Sequence, residues 1–371
     1  MEPTTQDQSV ATPGTKKHSF WYHLHFWIGW ISAIPLALVC LTGALLVFSA
    51  SITQWENKEL FQLETAGPRL SIAEVLKTYE TANPRYRVSH LMVPESPNHA
   101  YKAYAVQIHP DGNRNMQVYL NPYTGELTSM AGKFSLVNVI TGIHRNLIGT
   151  KTGELIVAIS SALLAITCIL GVILWVPLRA RTFARAWKRG QALDWHNAIG
   201  VIILVPLIVM AVTGVTFTWG KQLFPMLDKL QSVPSRLEVP VVTPPVGGAA
   251  KIPFPTVADS IGTMLPGVRI TGIQPSNSKT SPHVFIMDED GNNLRVFMDP
   301  YTGKEIMRMD GSGTGLVGWY RSNFGKIHTF APYGTFWRVV WGVLSLGGTV
   351  LVVTGVWVSI KRWRREKRTA A

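Results

Sequence analysis

Cysteine is scarce in this chain. The two residues, Cys40 and Cys168, both lie in hydrophobic runs, so packed thiols are expected and a disulfide framework is not. No Cys-x-x-Cys-His run occurs, which argues against covalently attached c-type haem. Charge is also scarce, at 15% of residues against 47% hydrophobic. No G-x-G-x-x-G opens a helix in the short charged segments, so no nicotinamide or flavin domain is expected there.

What is present is long apolar sequence. Four segments, 26–50, 154–177, 197–219 and 337–360, are nearly free of charge. Each is long enough to cross roughly 30 Å of hydrocarbon as a helix. The first is too long for a cleaved signal peptide, and no small-residue cleavage site ends it. The net charge of +13 would suit nucleic acid, but its placement does not. Segments 1–25, 178–195 and 361–371 hold 13 basic residues against 4 acidic ones. Segments 51–153 and 220–336 hold 21 against 17. Short basic segments stay in the cytoplasm, which predicts N-in/C-in topology in a bacterial inner membrane and no nucleic-acid partner.

The sequence repeats itself. His25, Gly29, Pro35 and Thr42-Gly43 recur 171 residues later as His196, Gly200, Pro206 and Thr213-Gly214. His144 and Gly171 recur 184 residues later as His328 and Gly355. The exported segments repeat an Asn-Pro-Tyr-Thr-Gly block (121–125) as Asp-Pro-Tyr-Thr-Gly (299–303). That block is a turn signal, and alternating apolar residues precede it as in short strands. Amphipathic helices are expected over 71–82 and 256–265, each on its own small antiparallel sheet, with an extended linker over 232–255.

The predicted layout is a cytoplasmic tail (1–25), a first span (26–50), an exported domain (51–140), and a boundary segment with the second span (141–177). A basic loop (178–195), a third span (196–219) and a second exported domain (220–325) follow. A boundary segment with the fourth span (326–360) and a basic tail (361–371) complete it.

Four of the ten histidines sit at membrane boundaries in repeated positions. His25 and His196 fall at the cytoplasmic face, His144 and His328 at the outer face. Facing imidazoles from two helices can take both axial positions of a haem iron. Gly29, Gly200, Gly43 and Gly214 would give a flat macrocycle room. Trp21, Trp27 and Trp30 flank the inner pair. Trp319, Tyr320, Phe324, Tyr333, Phe336 and Trp337 flank the outer one. An anchoring role at headgroup level is the competing reading for any single such histidine. Zinc would want Cys or carboxylates nearby. His23 competes with His25, which is preferred because it alone aligns with His196. His18, His90, His99, His109 and His283 lack repeated partners and are expected to be exposed.

His25, Gly29, Pro35, Thr42-Gly43, the Asn-Pro-Tyr-Thr-Gly block, Gly142-Ile-His144-Arg-Asn-Leu and Gly171-Val-Ile-Leu-Trp175 together resemble the PepSY-associated transmembrane helix family, over roughly residues 20–365. The exported units resemble PepSY domains. The resemblance implies an α+β membrane protein, with a four-transmembrane-helix bundle and two periplasmic PepSY-like α/β domains formed by internal duplication. It also implies haem b on the boundary histidines, two in all, and reduction of a ferric siderophore in the periplasm. The sequence departs from the family at Phe26 and Thr329, where Arg is usual, which removes a partner for a haem propionate. The electron donor would be a cytoplasmic protein or a quinol. A PepSY binding or regulatory protein, or a metal or chelate transporter, are the alternative functions.

Overall fold

The computed structural model describes the chain except for residues 1–19, 65–66, 109–113, 131–134, 232–237, 249, 255, 259–267, 290–291, 311–314 and 371. In chain order the elements are α1 (Phe20–Leu46), α2 (Ser49–Glu56), α3 (Lys58–Phe61), α4 (Ile72–Ala82), β1 (Tyr86–Met92), β2 (Tyr101–Gln107), β3 (Arg114–Leu120) and β4 (Leu127–Met130). Then come α5 (Leu136–Asn146), α6 (Lys151–Trp175), α7 (Thr182–Arg189) and α8 (Ala192–Asp228). The last are β5 (Arg269–Gln274), β6 (His283–Glu289), β7 (Asn292–Met298), β8 (Glu305–Asp310), α9 (Gly315–Thr329) and α10 (Thr335–Ala370). They fall into two compact units, one holding residues up to 44, 144–215 and from 343, the other 45–143 and 216–342.

The first unit is helical. The helices α1, α6, α8 and α10 are long and apolar enough to cross a membrane. Their outer positions are apolar too, with Ile34, Val205 and Val353 all exposed, as suits helices whose solvent is lipid. Helix bounds differ from the apolar runs that predicted them. Helix α1 starts at Phe20 and ends at Leu46, and α8 continues to Asp228. Backbone bonding carries on through aromatic and polar residues at the ends, where hydropathy has already fallen.

The second unit is built on a single antiparallel sheet of order β4-β3-β2-β1-β5-β6-β7-β8. Each half ends in a hairpin closed by the expected turn. Asn121 Oδ1 accepts from Tyr123 N at 2.8 Å, and Asp299 Oδ1 accepts from Tyr301 N at 2.7 Å. Gly125 and Gly303 take φ of +73° and +67°, which glycine adopts without a Cβ clash. The helix predicted over 71–82 is α4, held by a reciprocal capping box of Ser71 and Glu74. Most of the helix expected over 256–265 lies outside the described residues, as does part of the linker 232–255.

The expectation of a separate small sheet in each half is corrected here. Strand β1 pairs with β5 through Leu91↔Ile273 and Met92↔Gly272, and Val93 N donates to Thr271 O at 2.9 Å. Left apart, each half would present an open strand edge, which joining removes. One core then serves both halves. Val75, Tyr79, Leu91 and Val118 belong to the same buried cluster as Ile273, Phe285, Met287 and Met298.

Candidate functional site

The predicted inner pair meets within the helical unit. The His25 and His196 rings lie with centroids 6.4 Å apart and planes at 88°. His23, two residues earlier on α1, is exposed, as the helical period requires when His25 faces inward.

Each ring of the pair is held by its Nδ1. His25 Nδ1 lies 3.2 Å from the Thr167 carbonyl oxygen, which can only accept. His196 Nδ1 lies 3.0 Å from Thr354 Oγ1. That hydroxyl already donates to Val350 O at 2.8 Å, so here it accepts. Both imidazoles therefore carry their proton on Nδ1 and leave Nε2 with a lone pair, the form in which a neutral histidine binds a metal. With both protons used elsewhere, the pair has no N–H to share across the gap between the rings.

Glycines form the seats. A Cβ at Gly171 would lie 3.6 Å from His25 Cε1, and one at Gly355 would lie 3.3 Å from His196 Cε1. His144 is seated in the same way within this unit. Its Nδ1 lies 3.0 Å from Val39 O and 3.2 Å from Thr42 Oγ1. A Cβ at Gly43 would come 3.1 Å from its Cε1. In these seats the carbonyl or hydroxyl partner comes from the turn that precedes the glycine. Sequence reasoning valued Gly171 and Gly355 only as repeat markers and passed over Thr167 and Thr354. The shared 184-residue offset was the signal that could have found the glycines.

The remaining predicted positions are placed as follows. Gly29 has no neighbouring atom within 4 Å of its missing Cβ, and Gly200 has only Leu351 Cδ2 at 3.8 Å. Both lie one turn from their histidines, and the space beside Gly29 is open. Gly214 follows Thr213, whose hydroxyl donates to Val209 O at 2.6 Å. His328 belongs to the other unit, on α9, where its ring meets Phe217 edge-on at 5.3 Å and its carbonyl accepts from Trp341 Nε1 at 2.8 Å. Trp21, Trp27, Trp30, Trp319, Tyr333, Phe336 and Trp337 are exposed. Tyr320 and Phe324 pack in a ring cluster with Phe224.

Three of the histidines expected to be exposed are not. His90 and His99 are half-buried, and His283 is 3% exposed. His283 opens β6 beneath the Phe254 ring, 4.8 Å away, and its Nδ1 accepts from Ser276 N at 2.9 Å. Burial, reinforced by the nearby Lys251 ammonium, lowers its pKa to about 4. His18 and His109 lie outside the described residues.

The PepSY-associated TM region family matches residues 22–260. This chain belongs to that family. No curated protein matches it. The family match and the four apolar helices make it a membrane protein. The match takes in His25, His144 and His196 and stops before His328.

The donor set of this PepSY-associated protein can be tested against haem. Two metal–imidazole bonds of about 2 Å, plus about 1 Å from ring centre to nitrogen at each end, span about 6 Å. The observed centroid separation of 6.4 Å is close to that span. Among the described residues no group of three or more His, Cys, Asp or Glu is placed to hold a metal ion. A pair alone suits a metal whose other positions come from a macrocycle.

Proposed function

We propose that this protein is a haem-carrying inner-membrane oxidoreductase that moves electrons to a ferric siderophore in the periplasm, where reduction releases the iron. The observation that carries the reading is the facing pair His25 and His196, each fixed through Nδ1 and each offering Nε2. Haem b bound there would supply reversible one-electron transfer. The chain's own part is to hold and orient. Thr167 O and Thr354 Oγ1 set the tautomer, Gly171 and Gly355 pack against the rings, and the open space at Gly29 leaves room for a flat group. His144, likewise held through its Nδ1, is the candidate ligand of a second haem in this reading. The siderophore's hard oxygen donors hold Fe(III) better than Fe(II), so adding an electron loosens the chelate.

The repeat offsets support an origin by duplication, and the basic segments support N-in/C-in topology. The donor is a cytoplasmic protein or a quinol. A second reading, a PepSY binding or regulatory protein, is favoured by strands β4 and β8. Each is an outer strand of the sheet, and such edges accept added strands.

An optical spectrum separates the two. Detergent-purified protein from haem-replete cells is expected to show sharp Soret and α bands on dithionite reduction. A colourless preparation would sink the redox reading and leave the binding protein. Turnover of several ferric chelates by membrane vesicles then tests the substrate.

A further inference from the structure

An apolar groove of about 530 Å³ runs between α1 and α10 on the lipid-facing side of the helical unit. The two helices are tied at one end of it, where Ser345 Oγ donates to Cys40 O at 2.9 Å and Thr349 Oγ1 to Ala37 O at 3.4 Å. They meet again at the other end, where the Arg362 guanidinium lies 4.8 Å from the Tyr22 ring centre. The wall includes Ala33, Ile34 and Ala37 on α1, and Val353, Thr354 and Trp357 among others on α10.

Small residues open the groove. Through the 171-residue offset, Ala33 and Ala37 correspond to Leu204 and Ile208, whose bulk would fill it. The far end is cationic. Lys361 Nζ lies 5.0 Å from the ring centre of Trp357, itself part of the wall. Arg362, Arg364 and Arg365 follow, and Arg362 Nε donates to Glu366, the one acid in the tail, at 2.9 Å. At the positions offset by 184 residues from Lys361 and Arg362, the chain has Pro177 and Leu178. Ala33, Ala37, Lys361 and Arg362 thus occur together in one half of the repeat, where the other half has Leu204, Ile208, Pro177 and Leu178.

We propose that this groove seats an acyl chain of an anionic phospholipid whose phosphate is held at Lys361. The wall offers a hydrocarbon chain apolar contact over the stretch from Val353 to Ile360, roughly 10 Å of helix. The cap offers positive charge where the chain emerges at headgroup level. Thr354 both lines the groove and holds His196, so a seated chain shuts water away from that bond. The inference stands on the groove and its charges, and does not require haem.

The test is native mass spectrometry of the full chain purified in detergent and offered dioleoylphosphatidylglycerol, dioleoylphosphatidylcholine, or both. The unaltered protein is expected to retain a single phosphatidylglycerol in preference to phosphatidylcholine. Ala33→Leu with Ala37→Ile should lower that retention about tenfold, equivalent to losing the burial of about two methylenes. Lys361→Gln should leave the chain seated and cut the headgroup preference about fivefold. Equal retention of the two lipids by unaltered protein overturns the proposal, and this comparison needs no variant to fold. So does unchanged retention in the filled variant, or displacement of phosphatidylglycerol by an added isoprenoid quinone or by a second copy of the chain.

Discussion

The helical unit and the sheet unit treat their repeated positions differently. In the helical unit, offset positions that seat an imidazole keep the same residue: His25 and His196, Gly171 and Gly355. In the sheet unit, the positions flanking the repeated turn have diverged. Arg69 lies with its guanidinium 5.8 Å from the Tyr101 ring centre and donates to Ser96 O at 2.8 Å. In the other half Lys251 donates to Ser278 O at 2.7 Å, and His283 opens the strand where Tyr101 does. A ring 3.3 Å from a glycine's missing Cβ must give by a few tenths of an ångström before even alanine fits there. A hairpin loop needs only some cation that reaches its carbonyl, and Arg and Lys both do. The repeat keeps the histidines and glycines of these seats residue by residue, while this hairpin contact keeps only a cation.

Substitutions can break that contrast. The largest effect is expected from His196→Ala, which should remove about half of the bound pigment in reduced-minus-oxidised spectra, the half held by the inner pair in the proposed reading. Gly355→Leu should match it, because the side chain enters the space of the His196 ring. Full pigment in both would clear the pair of a ligand role.

Next comes the shared core of the sheet. Phe285 is fully buried and stacks on Phe254 at 5.7 Å. Phe285→Ala should cost about 3–5 kcal/mol, and amide exchange should quicken in β2 and β3 as well as in β6 and β7. Protection kept in β2 and β3 alone would show that the halves fold separately.

The third effect is pH-dependent. The His283 imidazole is held down to about 4 by burial and by Lys251, while in the unfolded chain it titrates near about 6.5. Between those values the unfolded chain binds a proton that the folded chain refuses. Stability of the sheet unit is therefore full above about pH 6.5 and falls as pH drops toward 4, by up to about 3 kcal/mol. His283→Tyr, which installs the residue found at 101, should flatten this part of a denaturation-versus-pH curve. An unchanged slope would place its origin elsewhere. The smallest effect is expected from Thr354→Val, which removes the acceptor for His196 Nδ1 and should weaken cofactor retention about tenfold, measured by haem loss to an apo-globin acceptor.

Much of this was legible from spacing. The offsets picked out His25 and His196, and the Asn121 and Asp299 turns were read from Pro and Gly in fixed places. The joint between β1 and β5 was not legible. Leu91 and Ile273 are ordinary strand residues, and nothing local says which edge each will meet. His283 was misread because its counterpart, Tyr101, is a different residue type, so a search for matched histidines passed over it. The seats at Gly171 and Gly355 needed three-dimensional contact to become visible, since small residues in apolar helices also serve simple helix packing.

The β1–β5 joint also sets an order of events during synthesis. Strand β1 is finished at Met92, and its partner β5 begins at Arg269, with α6 and α8 made in between. At about 5–20 residues per second, the nascent chain carries a bare strand flank for roughly ten to forty seconds while two hydrophobic helices are threaded into lipid. Over that interval the free edge of β1 is open to pairing with any other exposed strand.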